Sequence, residues 1–397
     1  MRVLQPTLAA FTARALIGNL CMSSAPPPSS LQRSAPSQKP LFTFGVIADV
    51  QWADDEDGYN FGRTVVRRYR GAFRTLERAV DWWNALPTPP SFIAQLGDIV
   101  DGCNVKLGQS AQALEAALAA LRRAPCPSVN IVGNHELYNF DRQALAEASW
   151  LRHGDKEYYS FAPAAGWRMV VLDPYQQALI GLAPDDPRRL ESVELIGRMN
   201  PGVDPSGSGG EWFAQVEGDN RRFVPYNGGL GAEQLSWLRA ELATAAAAEE
   251  RVIIMCHVIL NPNACGGSTM VWDYPEALDA IASQECVAAV LCGHDHFGEY
   301  HCDERGVHHC TFCSPLNKGD DGSAFGLVHV WDDAIEIRGP AVDDLLPFER
   351  RGQPTGRPAK VECEADALSP ACESVTLTLR PLRVPGDKEQ EQVAAAA

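Results

Sequence analysis

Five short apolar runs, each leading into a side chain able to hold a metal, constrain this chain more than any other feature. Phe42–Val50, Ser91–Leu96, Ser128–Val132, Arg251–Cys256 and Val287–Cys292 are mostly aliphatic or aromatic and lack helical period. Such runs predict buried strands. They lead into Asp49, Asp98, Asn134, His257 and His294. Sheets covered by helices place their sites in loops at the carboxyl ends of strands. The five residues therefore point to one site at one rim of an α/β fold.

The intervening segments fit that frame. Over 63–86, Val66, Phe73, Leu76, Val80 and Trp83 recur at helical spacing and stop at Pro87. Further helices are predicted over about 109–123 and Ala232–Ala248, and a strand over Met169–Leu172. Val307–Cys313 and Gly326–Trp331 read as two closing strands. Residues 183–228, rich in Pro, Gly and charge, read as an insertion in the position of a lid. Beyond 341 a mostly irregular tail is expected. Val375–Leu379 would add a short edge strand ended by Pro381, and Ala394–Ala397 would be disordered. The expected catalytic domain spans 41–340, long but within the range of a single domain.

Residues 1–40 stand apart. They carry Arg2, Arg14, Arg33 and Lys39 but no acid, among Ala, Ser and Pro. This is the composition of an organelle transit peptide or of a plain disordered extension. Arg14 interrupts the apolar stretch that a secretory signal needs. A cytoplasmic or organellar location follows. No apolar run reaches the 18 or so residues of a membrane span. The net charge of −17 disfavours a nucleic-acid partner. A small anionic substrate stays open, because bound divalent cations reverse the local potential. A monomer is expected. The twelve cysteines are scattered. Cys103, Cys256 and Cys292 read as small core residues. Cys310 and Cys313, with Cys302 upstream, are a weak zinc signal without a second pair. Cys363 and Cys372 would pair only in an oxidising compartment.

Each metal-binding motif has a bland alternative. Asp49 and Gln51, two apart on an extended segment, project to one side. Gly97-Asp98 alone is a turn. Asn134 in Gly133-Asn134-His135-Glu136 is also a fair helix N-cap. His257 alone reads as a core histidine. In Gly293-His294-Asp295-His296 two imidazoles converge, and the glycine permits a tight turn. The donors are oxygen and nitrogen without thiolate, which suits Mn²⁺, Fe²⁺, Zn²⁺ or Mg²⁺. Order and position after strands favour one two-metal site.

With these motifs in this order, the chain resembles the calcineurin-like metallophosphoesterase superfamily. Gln51 stands where that superfamily usually has His. This departure resembles the manganese-dependent ADP-ribose/CDP-alcohol diphosphatases. So do Phe44–Phe61, Gln95–Gly102, Gly133–Phe140, Asn227–Leu238 and Ala324–Val330. The resemblance implies a four-layer α/β/β/α sandwich. It implies that Asp49, Gln51 and His296 hold one divalent ion, that Asn134, His257 and His294 hold a second, and that Asp98 bridges them. The ions would be Mn²⁺. His135 would be the catalytic residue, stabilising charge or protonating the leaving oxygen. The substrate would be a small nucleotide, a nucleoside-diphosphate compound such as ADP-ribose or CDP-choline. Expected substrate contacts are Tyr59, Asn60 and Phe61 for a nucleobase, Arg63 for phosphate, and Tyr138 and Asn139 beside His135. Arg67, Arg68 and Arg70 are further phosphate candidates. Protein Ser/Thr phosphatases would carry Arg where this chain has Gly102, and purple acid phosphatases Tyr in place of Asp101. A cyclic-nucleotide phosphodiesterase and a non-catalytic scaffold on the same fold are the alternatives.

Overall fold

The computed structural model describes residues 39–60, 62–147, 157–204, 211–347, 360–363 and 371–382. The expected extension up to residue 38, and the Ala394–Ala397 end, lie outside them.

The strands, in chain order, begin with β1 (Phe42–Ile47), β2 (Gly58–Tyr59), β3 (Val66–Arg67), β4 (Phe92–Gln95) and β5 (Ser128–Asn130). The middle of the chain adds β6 (Tyr159–Ala164), β7 (Trp167–Val171), β8 (Arg251–Cys256) and β9 (Val287–Cys292). The last are β10 (Glu299–Cys302), β11 (His308–Thr311), β12 (Phe325–Val330), β13 (Ala334–Gly339), β14 (Val361–Cys363) and β15 (Cys372–Thr378). A seven-stranded sheet has the order β14-β15-β13-β12-β1-β4-β5, and a six-stranded sheet the order β10-β11-β9-β8-β7-β6.

Strand alternation makes the layers. Successive side chains of a strand face opposite ways. On β8, Ile253 and Met255 pack between the sheets against Phe44, Val46 and Ala94. Val252 and Ile254 instead pack with Leu238, Leu242 and Ile281, on the helices Gly231–Ala247 and Tyr274–Ala282. On the other sheet, Ile47 and Ile93 pack with Leu76, Val80, Trp83 and Leu118, on the helices Tyr69–Asn84 and Ser110–Leu121. Helices, sheet, sheet and helices are the four layers expected. Burial on both faces explains why the central strands read as continuous apolar runs.

The orientation of the strands gathers the site. β1, β4 and β5 are mutually parallel neighbours, as are β7, β8 and β9. The carboxyl ends of β1, β4 and β5 therefore lie side by side. Those of β8 and β9 are aligned by the pairing of Cys256 with Cys292.

Several elements differ from expectation. The helix predicted from 63 starts at Tyr69, because Val66 and Arg67 pair with Tyr59 and Gly58 in a hairpin. Asn60 closes its turn, accepting the Thr64 and Val65 amides at 2.8 and 3.1 Å. β15 is not an edge strand. It pairs with β13 over six residues and has β14 on its other side. Its own Val375 and Leu377 are fully buried. The 183–228 stretch contains the helix Pro187–Met199, capped by Asp186 through a 2.8 Å bond from the Arg188 amide. Ile196, Val203 and Phe223 of this stretch form a small core with Leu179 and Trp272. Cys363 and Cys372 face each other in register on the paired strands β14 and β15.

Candidate metal centre

The five strand ends meet. Asp98 Oδ2 lies 3.2 Å from Gln51 Nε2 and 3.3 Å from His257 Nε2. His257 Nε2 is in turn 3.2 Å from His294 Nδ1. On the other side of Asp98, Gln51 Nε2 is 2.8 Å from His296 Nε2, which is 3.8 Å from Asp49 Oδ1. Asp98, His257 and His294 are the one group of His, Cys, Asp or Glu close enough to share an ion among the described residues. Cys302, Cys310 and Cys313 form no such group. Cys313 instead donates its thiol to Phe297 O at 3.2 Å.

The backbone is bent to bring these groups in. Asp49, Gln51, Asp98 and His294 have φ of 51°, 45°, 56° and 70°. The Asp49–Gln51 segment is therefore not extended, as its spacing suggested. It runs alongside the second loop, with Asp49 N donating to Gly97 O and Gln51 N to Asp98 O at 3.0 and 2.8 Å. The glycines of the motifs serve close approach. A Cβ on Gly97 would stand 2.3 Å from His257 Nδ1, one on Gly133 2.1 Å from Asp98 Oδ1, and one on Gly293 2.5 Å from Asp49 Oδ2. The tight turn expected of Gly293 is made by His294, which has the positive φ.

Glu136 fastens two loops together. Its carboxylate accepts the amides of Asp98, Ile99 and Gly133 at 2.7, 2.7 and 2.8 Å. Burial, with the Asp98 charge adding, pushes this carboxyl up to about 7 against those amides. Gly133, not Asn134, is the residue that precedes the helix Asn134–Asn139, so the N-cap alternative is not the one adopted. The Asn134 side-chain oxygen accepts the Tyr175 hydroxyl at 3.3 Å.

The donor set fits metal. Asp49 Oδ1 and Gln51 Oε1 are buried oxygens without a hydrogen-bond partner. Such orphans are costly unless an ion meets them. Exchanging the two ends of the Gln51 amide, a rotation that leaves its shape unchanged, would turn its oxygen toward Asp98 and His296. Each ligand-type histidine also has one nitrogen occupied: His257 Nδ1 lies 2.7 Å from Leu96 O, and His296 Nδ1 3.4 Å from Asn317 Oδ1. Carbonyl partners of this kind leave the opposite nitrogen free to coordinate. Burial, helped by the Arg67 cation, pulls His296 down to about 3. Burial and then His257 pull His294 down as well. At His257 burial is outweighed by the Asp98 and Asp49 carboxylates, which lift it to about 9. A cation beside Asp98 would displace that proton.

His135 borders the group. Its backbone amide donates to Asp98 Oδ1 at 2.8 Å, and its Nε2 lies 3.9 Å from Asp98 Oδ2. Gly102 N donates to His135 Nδ1 at 2.8 Å, so in the neutral ring the proton sits on Nε2. Asp101 Oδ2 is 3.3 Å from the same Nδ1 and 3.6 Å from Arg67 Nη1.

The expected substrate contacts divide. Tyr138 stands edge-on to His135 with ring centres 5.2 Å apart and is partly exposed. The Asn139 amide is occupied, donating to Asp101 O and His135 O at 3.0 and 2.8 Å and accepting Ser110 Oγ at 2.7 Å. Asn60 is likewise spent on its turn. Tyr59 is 60% exposed on the hairpin, and Arg63 is exposed with φ of 51°. Phe61 lies outside the described residues. Arg70 pairs with Asp54 and Glu56 at the surface, leaving Arg67 as the arginine of that run beside the centre. Sequence reasoning did not assign roles to Tyr175 and Tyr226. Tyr226 closes the 183–228 stretch with its ring 5.6 Å from that of His294.

This is the layout of a two-metal phosphoesterase, and residues 42–298 match the calcineurin-like phosphoesterase family. A protein from Oryza sativa subsp. japonica is 37% identical over 306 residues, covering 77% of this chain and 93% of its own length. One from Homo sapiens is 34% identical over 346 residues, covering 83% and 98%. Both are named manganese-dependent ADP-ribose/CDP-alcohol diphosphatase. The crystal structure of a dimetal phosphatase from Danio rerio matches with a TM-score of 0.73 at 29% identity, over 86% of this chain and 100% of that one. The chain belongs to the calcineurin-like phosphoesterases, in the group of the manganese-dependent ADP-ribose/CDP-alcohol diphosphatases.

Proposed function

We propose that this enzyme hydrolyses the phosphoanhydride of nucleoside-diphosphate compounds such as ADP-ribose and CDP-alcohols, giving a nucleoside monophosphate and a phosphomonoester. The observation that carries this reading is Asp98 Oδ2 set between Gln51 and His257, at 3.2 and 3.3 Å, with orphaned Asp49 and Gln51 oxygens beside it. In this reading Asp49, Gln51 and His296 hold one Mn²⁺, Asn134, His257 and His294 hold the other, and Asp98 serves both. The two ions, when bound, activate water and neutralise phosphate charge.

The chain's own groups do the rest. His135 presents an Nε2–H donor on the Asp98 side of its ring. A fixed donor aimed where charge develops stabilises the transition state more than the ground state. The leaving group of a diphosphate is itself a phosphate monoester and needs little protonation, so His135 acts chiefly as a charge stabiliser. In this reading Arg67, 3.6 Å from Asp101 beside His135, grips the second phosphate, and Tyr138, edge-on to His135, borders the substrate. The 183–228 insertion is read as the cover of this site. The net charge of −17 favours a small nucleotide over a nucleic acid, and a monomer suffices because every group named comes from one chain.

A screen of Mn²⁺, Mg²⁺, Fe²⁺ and Zn²⁺ against ADP-ribose, CDP-choline and cyclic AMP tests this. Mn²⁺-stimulated cleavage of the two diphosphates is expected. Preference for cyclic AMP, or no metal-stimulated cleavage of any diphosphate, would overturn it. His135→Ala should lower turnover by about 100- to 1,000-fold with Mn²⁺ binding intact by paramagnetic resonance. Loss of the metal instead would remove His135 from this role.

A further inference from the structure

We propose that Asn227 is a positioning residue: it sets the tautomer of His294 and ties ion binding to the two segments that border the site. The proposal rests on the reading of His294 as a ligand.

The argument is one of donors and acceptors. Asn227 is fully buried. Its Nδ2 donates to Arg222 O at 2.8 Å and to Ser268 O at 2.6 Å. Backbone carbonyls only accept, so the amide has one allowed orientation; reversing it would set Oδ1 against two carbonyl oxygens. Asn227 Oδ1 lies 2.7 Å from His294 Nε2. An amide oxygen also only accepts, so the His294 ring proton must sit on Nε2. That leaves the lone pair on Nδ1, the atom 3.2 Å from His257 Nε2 in the group formed with Asp98.

The same contacts connect the ligand to two distant stretches. Arg222 donates Nε to Trp272 O at 2.8 Å, and its guanidinium lies 4.2 and 4.9 Å from the ring centres of Phe223 and Tyr274. Ser268 accepts the Tyr226 hydroxyl at its Oγ, 3.1 Å away. One amide thus joins His294 to the end of the 183–228 insertion and to the 268–274 stretch. With an ion held at Nδ1, Nε2–H would be a stronger donor to Asn227, so the Asn227 junction would tighten on ion binding and would in turn favour it. Such coupling is reciprocal by necessity.

The test uses the full chain. Nitrogen-15 resonances of the His294 ring, assigned by their loss in His294→Gln, report the tautomer in the Mg²⁺-loaded enzyme. The wild type should carry its proton on Nε2. Asn227→Ala should lose the fixed tautomer, raise the Mn²⁺ dissociation constant about 10- to 100-fold, and regain most of its turnover at saturating Mn²⁺. Asn227→Asp should keep the Nε2 proton, since a carboxylate still accepts it, while losing the donors to Arg222 and Ser268. A wild-type His294 protonated on Nδ1 would overturn the proposal without needing any variant to fold. So would unchanged Mn²⁺ affinity in a folded Asn227→Ala protein. A wild type that binds no Mn²⁺ would overturn the metal reading and this proposal together, which separates the two failures.

Discussion

Gly133 shows how little room the centre leaves. Its backbone is in an ordinary region, with φ of −106°, so it is not needed for conformation. It is needed for space, because an added Cβ would stand 2.1 Å from Asp98 Oδ1 and 2.6 Å from Asp98 N. Gly133→Ala should therefore displace the shared carboxylate, costing about 1–3 kcal/mol as overpacking does and weakening Mn²⁺ binding. Paired denaturant and Mn²⁺ titrations check this; a variant as stable and as tight as wild type would refute the steric account. Four of the six non-glycine residues with positive φ among the described residues are Asp49, Gln51, Asp98 and His294. Such backbone strain, about 1–3 kcal/mol each, concentrates where function needs it. The identity of these residues was legible in the sequence because each follows an apolar run. Their backbone strain was not, since Asp and His adopt the left-handed conformation only in a minority of cases and Gln more rarely still. Asn227 and Tyr175 were illegible as supporting residues for another reason. Their partners His294 and Asn134 are 67 and 41 positions away, and only folding brings them together.

At the scale of elements, the C-terminal strand departs most from expectation. Val375 and Leu377 of β15 are fully buried in the core shared with Ile335 and Ile337 of β13. Leu377→Ala should cost about 2–5 kcal/mol, measurable as a lowered midpoint in urea. A dispensable edge would show almost no shift. The central strands were easy to find because burial on both faces leaves nothing but apolar residues. β15 was only half legible: its exposed threonines alternate with buried residues, and its outer neighbour β14 spans three residues, too few for a pattern. The start of the helix at Tyr69 was hidden differently. Val66 fits the helical period, yet Asn60 binds the Thr64 and Val65 amides and commits the preceding residues to a hairpin. A local side-chain bond of this kind competes with helix formation, and periodicity does not register it.

Across the whole molecule, the proposed ligands divide between the two sheets. Asp49, Asp98 and Asn134 follow β1, β4 and β5 of the seven-stranded sheet, and His257 and His294 follow β8 and β9 of the six-stranded one. Ions at this rim would bridge the sheets where their apolar contact ends. The protein alone packs acidic groups there at a cost: Asp49, Asp98, Asp101 and Glu136 are all buried. Burial lifts the Asp49 carboxyl well above its usual range, and the Asp98 charge adds to the effect. Divalent cations would relieve this repulsion only in the folded chain, since the unfolded chain separates the ligands. Binding to the native state alone stabilises by about 2.7 kcal/mol at a hundredfold excess over the dissociation constant. Mn²⁺ should therefore raise the melting temperature by at least a few degrees, in proportion to the logarithm of its concentration once the site is saturated. A chelator should reverse the shift and abolish hydrolysis at the same time. The single variant Asp98→Asn, lacking the charge that both ions share, should lose most of the Mn²⁺-dependent rise while its metal-free melt stays close to wild type or improves. A full Mn²⁺ response in Asp98→Asn would mean that the ions bind elsewhere and that the two sheets are held at this rim by packing alone.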